Sequence, residues 1–339
     1  MSVRGDTPAV SVLVPNLNGA RWLEGCLRSV LDQTAGDLEV IVGDEASSDG
    51  SREVVESIRD ARVQLVTRPI RLGQAANTND LRGRARGQYI AVLNSDDWWE
   101  PGFLERMRAL LDATPTALFA TCAANIVEGG LIREQRGMHL VWPGPAGACP
   151  SNAALSLLLG GNRMHTPSVL ATRRMYELVP RYEEALLYVQ DWWMWLRVAA
   201  LGDLAVSPEP LANYRVHDQS LTATARATTY GADLVRLMAL ARAEWGASDR
   251  RLRALGATVT SELVELSYHL AQLGDLDGAR THSRLARATA PAWPLRRVAQ
   301  ASELLWTVAR VPGLGGRAVE AVGPVKAGMR RSLERLRIL

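Results

Sequence analysis

Gly87-Gln88-Tyr89-Ile90-Ala91-Val92-Leu93-Asn94-Ser95-Asp96-Asp97-Trp98 is a short apolar run that ends abruptly in two carboxylates. Tyr89 to Leu93 predicts a strand covered on both faces, since five apolar residues led by β-formers offer no polar side to water. Asp96 and Asp97 then stand where that strand leaves the sheet. In open α/β sheets the ligand crevice lies outside the carboxyl ends of the strands. The pair is therefore placed to hold a hard cation and a phosphate. Mg2+ or Mn2+ binds one or two carboxylates and completes its shell with water and phosphate oxygens. An Asp-rich turn fits the same residues, and this stretch alone leaves the two readings level.

The rhythm of the preceding chain gives the strand its neighbours. Ala9 to Val14 is a second β-branched run, closed by Pro15 and Asn16, and Arg21 to Gln33 follows with helical spacing at Trp22, Leu23, Leu27, Val30 and Leu31. Leu38 to Val42 predicts a third strand, broken at 43–51, where Asp49 or Ser51 can cap a helix over 52–59. Val63 to Thr67 predicts a fourth strand, and Gly73 to Arg86 a helix of small residues leading into Tyr89. Strand and helix in alternation argue for a parallel, doubly wound α/β sheet. Asp44 and Glu45 close one strand as Asp96 and Asp97 close another. Strands about 4.8 Å apart let two such ends share one crevice, which favours a site over two unrelated turns.

Bulk properties bound the class. With 339 residues, 47% hydrophobic and 22% charged, the chain fits one large globular domain plus an appendage. A formal net charge of +3 does not indicate electrostatic capture of nucleic acid. Cys26, Cys122 and Cys149 show no metal-ligand spacing and suit a reducing cytosol. No secretory signal and no run of 18 apolar residues is seen, so the expectation is a soluble cytoplasmic protein.

Val10-Ser11-Val12-Leu13-Val14-Pro15-Asn16-Leu17-Asn18, Asp44-Glu45-Ala46-Ser47-Ser48-Asp49-Gly50-Ser51 and Leu93-Asn94-Ser95-Asp96-Asp97 together resemble the family-2 glycosyltransferases of GT-A fold. The resemblance covers about residues 8–221. It implies a Rossmann-like, mostly parallel sheet flanked by helices over 1–221; outside it, the Ala/Leu/Arg-rich sequence over 222–339 reads as an α-helical C-terminal region. The resemblance also implies a hexosyltransferase-type enzyme taking a nucleotide-sugar donor, most often a UDP-sugar. Pro15, Asn16 and Asn18 would border the nucleoside, and Asp44 and Glu45 would accept the uracil imide N–H. Asn94, Ser95 and Asp96 would line the diphosphate side, with Asp96 and Asp97 holding Mn2+ or Mg2+. Gly73-Gln74-Ala75-Ala76-Asn77-Thr78-Asn79 matches the family's Gly-x-x-x-x-x-Asn helix, which offers Arg71 and Asn79 to the donor or leaves them ordinary polar residues. Three positions depart from the pattern: Asn94 replaces an acid, Glu45 the second Asp, and Ala46 a Gly.

Further on, 128–150 is rich in Gly and Pro and predicts a loop-rich hairpin over the site, and 166–171 another strand. Tyr188-Val189-Gln190-Asp191-Trp192-Trp193-Met194-Trp195 places Asp191 at a helix N-terminus, where a carboxylate serves as cap or as general base toward an acceptor proton. The stretch is similar to the family's Glu-Asp-Trp motif, whose Asp is that base; Gln190 takes the Glu position. Trp192, Trp193 and Trp195 read as packing mixed with an acceptor platform. Tyr214-Arg215-Val216-His217 is similar to the segment that closes the family's catalytic domain, which makes His217 a metal ligand or a structural hydrogen-bonder.

Beyond 221 the chain is helical. Leu263 to Pro291 reads as a hairpin turning at Gly274-Asp275, with Tyr268, Gly274, Ala279 and Ala286 near the places of a tetratricopeptide-like unit. The basic tail from Arg317 to Leu339 can lie on an anionic inner-membrane face or stay solvated. The expected activity is metal-dependent, inverting transfer in glycan or natural-product biosynthesis, with Asp191 as base. Glycan, lipid-linked, peptide and small-molecule acceptors all stay open, as does a homodimer. Two rivals remain: a nucleotide-sugar-binding module without turnover and with a helical interaction tail, and a nucleotidyltransferase, for which no Lys-bearing phosphate loop is present.

Overall fold

The strands form because their apolar runs are buried on both faces. β1 (Val10–Asn16) and β2 (Leu38–Glu45) are buried along their whole length. In the computed structural model, residues 7–135, 147–220, 227–291 and 293–309 are described. The chain divides into two compact units, Met1–Leu158 with Asn162–Ala223, and Leu159–Gly161 with Thr224–Leu339.

In the first unit β1 leads through α1 (Ala20–Leu31) to β2, then α2 (Ser51–Ser57), β3 (Val63–Arg68), α3 (Gln74–Arg84) and β4 (Tyr89–Val92). β5 (Trp98–Trp99), α4 (Phe103–Asp112), β6 (Ala117–Glu128), β7 (Leu131–Glu134), β8 (Gly147–Cys149) and α5 (Ser151–Leu159) come next. A 3-10 turn (Thr166–Ser168) opens β9 (Val169–Thr172), and α6 (Arg173–Leu178), α7 (Gln190–Ala199) and β10 (Asp203–Val216) complete the unit. The sheet order is β3-β2-β1-β4-β9-β6-β10-β5, with β7 on β6 and β8 on β10.

β3, β2, β1 and β4 are parallel, as the alternating pattern predicts, and so are β6 and β10. β9 runs antiparallel between β4 and β6, so the doubly wound reading holds for the N-terminal half and not for the whole sheet. The strand predicted over 166–171 begins with a 3-10 turn because Pro167 fixes its own φ and lacks an N–H for a ladder. The acid-bearing ends are not neighbours either: β2 and β4 flank β1, and Asn16, at the end of β1, lies between them.

α1 buries Leu23, Cys26, Leu27 and Val30, the i, i+3, i+4, i+7 stripe of an amphipathic helix. α7 is buried on nearly every side, with Trp195 packed 5.2 Å from Phe119 of β6. Each large apolar side chain so buried contributes roughly 1.5–3 kcal/mol. Trp192, Trp193 and Trp195 are 1%, 3% and 1% exposed. They are core, which corrects the expectation of an acceptor platform among them.

The excursion after β6 forms the β6–β7 hairpin; its middle, 136–146, and hence its expected place over the site, lies outside the described residues. The second unit comprises α8 (Ala227–Trp245), α9 (Arg250–Gln272), α10 (Leu276–Thr289) and α11 (Trp293–Val308). The predicted hairpin is α9–α10, with Gly274 at φ +85° and Asp275 capping α10 through Gly278 N at 2.8 Å. Tyr268, Ala279 and Ala286 are buried in it. The basic tail from 317 lies outside the described residues. No described helix is long and apolar enough to cross a membrane.

Candidate active site

Two loops at the carboxyl ends of β1 and β2 are stitched into one body. Asn16 Nδ2 donates to Asp44 Oδ1 at 3.0 Å and to Ser47 Oγ at 3.3 Å. Ser47 Oγ accepts Asn18 N–H, Asn18 Oδ1 accepts Ser48 N–H, Ser51 Oγ accepts Gly19 N–H and Asp49 accepts Ala20 N–H. Asn18 and Ala46 take left-handed φ of 53° and 55° to make the turns. Gly19 is required by close approach, for a Cβ there would collide with Asn16 Oδ1 and Ser95 Oγ. Asn16 Oδ1 is buried and unpartnered.

Asp44 is 1% exposed, and Oδ2 takes Arg52 Nε at 2.9 Å and Ser47 N–H. Burial pushes its carboxyl up, but the hydrogen bonds from Ser47, Arg52 and Asn16 outweigh that and hold it below the usual range. Its two oxygens are thus engaged by the loops, and Glu45 beside it is 3% exposed. Glu45 Oε1 accepts Leu72 N–H at 3.0 Å. Pro15 is buried in β1 and Arg71 is exposed beside Leu72. Asn79 is engaged at both ends of its amide: Nδ2 donates to Tyr182 O and Glu184 Oε1, and Oδ1 accepts Tyr182 N–H. It holds the 182–184 segment, a role the sequence pattern did not announce.

The adjacent acids have opposite surroundings. Asp96 Oδ2 lies 2.9 Å from His217 Nε2, with the imidazole tilted over Trp22 at 4.0 Å. Asp97 is 1% exposed and turned inward, Oδ1 accepting Arg215 N–H and Oδ2 accepting Asn94 Nδ2, each at 2.9 Å. Burial, then the charge of Asp96, pushes the Asp97 carboxyl well up, while the Arg215 and Asn94 hydrogen bonds pull back. Both Asp97 oxygens are thus committed within the loop, whereas Asp96 keeps a partly exposed carboxylate beside His217. Arg215 also donates from Nε to Asp96 O at 2.8 Å while its guanidinium stacks 4.5 Å over Trp98. In sequence Arg215 lies between Tyr214 and Val216, and nothing there marks its approach to the two acids.

Asp191 sits in the first turn of α7, where the N-cap is Val189, so it is not the cap itself. Oδ1 accepts Trp192 N–H at 2.6 Å and Oδ2 accepts Asn162 Nδ2 at 3.1 Å. Burial raises its carboxyl to about 6, against the pull of Trp192, Asn162 and Thr166. A carboxylate poised near neutrality suits proton abstraction. Gln190 Nε2 donates to Gln74 Oε1, and Gln74 Nε2 to Asn94 Oδ1, so the start of α7 joins the acid loop. Asn162, Thr166 and Gln74 carry no motif recognisable in one sequence.

Asp96 and His217 would offer a divalent ion two donors. Two donors of an octahedral ion at about 2.1 Å sit about 3 Å apart, which matches Asp96 Oδ2 and His217 Nε2. Among the described residues no three His, Cys, Asp or Glu side chains gather as a complete ligand set. Such an ion takes its other positions from water and phosphate, as Mg2+ does.

A protein-family model described as glycosyl transferase family 2 matches residues 11–166. An uncharacterized glycosyltransferase of Haemophilus influenzae is 27% identical over 216 residues, 62% of this chain and 66% of that one. The chain spans between 40% and 66% of the length of the first curated relatives it matches. S. aureus TarS 1-349, crystallised with UDP-GlcNAc, superposes with a TM-score of 0.63 at 14% identity, covering 95% of this chain and 92% of that one. The mannosyltransferase PcManGT of Pyrobaculum calidifontis, in complex with GDP-Man and Mn2+, gives 0.52 at 19%, covering 96% and 87%. The fold is therefore GT-A, and residues 11–166 match the glycosyl transferase family 2 model.

Proposed function

We propose that the protein transfers a sugar from a nucleotide-sugar donor, a UDP-sugar, to an acceptor hydroxyl with inversion at the anomeric carbon. One observation carries the reading: Asp191, a carboxyl raised to about 6, directly follows Gln190, whose side chain is linked through Gln74 and Asn94 to the loop that presents Asp96 to His217. Asp96 and His217 would hold a divalent ion. The ion, when bound, supplies positive charge against that developing on the leaving nucleoside diphosphate. Pro15, Asn16, Asn18 and Glu45 border the nucleoside, and Ser95 and Arg215 lie along the diphosphate side. Asp191 takes the acceptor proton as the oxygen attacks the anomeric carbon and the nucleoside diphosphate leaves from the opposite face, a single displacement that inverts. Neighbours of this fold bind UDP-GlcNAc in one case and GDP-Man with Mn2+ in another, which supports donor class and ion alike. The buried free thiols of Cys26, Cys122 and Cys149 suit a cytoplasmic setting.

The test is thermal stabilisation by a panel of UDP-, GDP-, ADP- and dTDP-sugars, with and without Mn2+. Transfer is then assayed with the stabilising donor and glycan, lipid-linked, peptide and small-molecule hydroxyl acceptors. The expected result is stabilisation by a UDP-sugar that requires Mn2+, and release of UDP on transfer. Binding without any transfer would turn the reading into that of a non-catalytic module; no stabilisation by any nucleotide sugar would overturn it.

A further inference from the structure

Two departures from the family pattern, Asn94 and Gln190, lie almost a hundred positions apart in sequence, yet both side chains contact Gln74. The contacts have a direction. Asn94 presents Nδ2 to Asp97 Oδ2 and turns its Oδ1 away. Oδ1 then takes Gln74 Nε2 at 3.0 Å, which leaves Gln74 Oε1 to take Gln190 Nε2 at 3.2 Å. The last group in the row, Gln190 Oε1, is buried without a partner, on a residue 8% exposed. Acids at 94 and 190 would break this row. A carboxylate at 94 would face the Asp97 carboxyl, and one at 190 has no hydrogen for Gln74 Oε1. The two amides are thus a matched pair whose chemistry Gln74 requires.

The row joins three separately held pieces: the loop after β4 that carries Asp96, the first residue of α3, and the first turn of α7 that carries Asp191. We propose that Gln74 is a positioning residue that transmits ordering of the acid loop to the helix bearing Asp191. Binding of a diphosphate and ion at Asp96 and His217 fixes Asn94 and Gln74, and with them the start of α7. This rests on the reading of the site as a nucleotide-sugar site. Buried amide rows polarise one another, and removal of the middle member severs both contacts at once.

Hydrogen exchange on the full chain tests it, with UDP and Mn2+ as the probe. In the wild type, ligand should slow exchange both in the 93–99 loop and in 188–196. In Gln74→Leu, and in Gln74→Met as a second variant of similar size, protection of 93–99 should persist while that of 188–196 disappears. Turnover should fall about tenfold in each with the Kd for UDP changed less than twofold. In a double-mutant cycle on kcat, Gln74→Leu with Gln190→Leu should lose no more than the worse single variant, as contacts in one network are non-additive. Equal protection of 188–196 in wild type and variants, or multiplicative losses in the cycle, would overturn the proposal. A wild type that binds no UDP fails the functional reading instead. The cycle is then read on unfolding free energy, where additive losses reject the row and a shared loss upholds it.

Discussion

The two strands that flank β1 both end in paired acids, and the two clusters are electrostatic opposites. At the end of β2, Asp44 collects Asn16, Ser47 and Arg52 and is held below its ordinary range. At the end of β4, Asp97 lies buried beside Asp96 and is pushed well above it, and across the hydrogen-bonded row Asp191 reaches about 6. An acid surrounded by donors is a fixed negative strut, good for joining loops and poor at exchanging protons. Acids whose burial outweighs their hydrogen bonds are where a cation or a proton is stabilised, because the protein has compensated the charge only in part. The same residue type at the two strand ends is thus held charged on one side and biased toward protonation on the other.

The strongest way to break this contrast is at Asp191. Asp191→Asn keeps the shape and removes the basic oxygen, so kcat should fall by about 10²–10⁴ while UDP affinity stays within twofold. Lost UDP binding, or a lowered melting temperature, would make Asp191 a structural residue like Asp44. The same group sets a pH dependence. Transfer requires the carboxylate, so kcat/KM should rise with pH through about 6 and level off above it. A rate independent of pH between 5 and 7 would remove Asp191 as base.

Next comes the difference within the acid pair. Asp96→Ala and His217→Ala should each weaken Mn2+-dependent UDP binding about 10–100-fold, the range for damage around a metal site, with little change in melting temperature without ion. Asp97→Ala should do the reverse, lowering stability by about 1–3 kcal/mol because Arg215 N–H and Asn94 Nδ2 lose a buried acceptor. Calorimetric titration of UDP with and without Mn2+, beside urea unfolding, separates the two patterns. Equal behaviour of the three variants would erase the distinction.

Much of this was legible in sequence because it depends on local order. Apolar runs ending in Asn16, Glu45 and Asp97 mark strands, and a strand's carboxyl end fixes where its last polar residues lie. The Asp-rich turns after β2 and β4 are therefore on the site side without any knowledge of packing. What sequence could not supply is which of two adjacent acids faces inward, since that depends on Arg215 N–H, contributed by a strand 118 positions later. β9 was hidden for a similar reason. Its four residues fit either strand direction, and its antiparallel seat between β4 and β6 is decided by long-range pairing. Asn79 has the residue type of a donor contact, yet its amide is filled by Tyr182 and Glu184 from a distant loop.

Asn94→Asp makes the β4 end more like the family pattern and so sharpens the contrast with β2. The new carboxylate would face Asp97 at the 2.9 Å now spanned by a hydrogen bond, and like charges so close disfavour ionisation of both. Without ion the variant should lose about 1–3 kcal/mol, and saturating Mn2+ with UDP should restore part of it. Urea unfolding in the two conditions decides; a variant as stable as wild type without ion would show that Asn94 does not hold Asp97.

The smallest effect belongs to the β2 side. Ala46 holds a left-handed φ of 55° in the turn that follows Glu45, a conformation that costs an L-residue with a Cβ about 1–2 kcal/mol. Ala46→Gly removes that strain but frees the unfolded chain, which offsets about 0.4–1 kcal/mol. The net expectation is a gain of about 0–1.6 kcal/mol, read as a higher urea midpoint with unchanged slope. Asn18→Gly, at φ 53° in the partner turn, should gain nothing, because Asn tolerates this region and its Oδ1 anchors Ser48 N–H. If Ala46→Gly instead lowers the midpoint, the turn is held by more than its backbone, and Ala46 packs against something the rim requires.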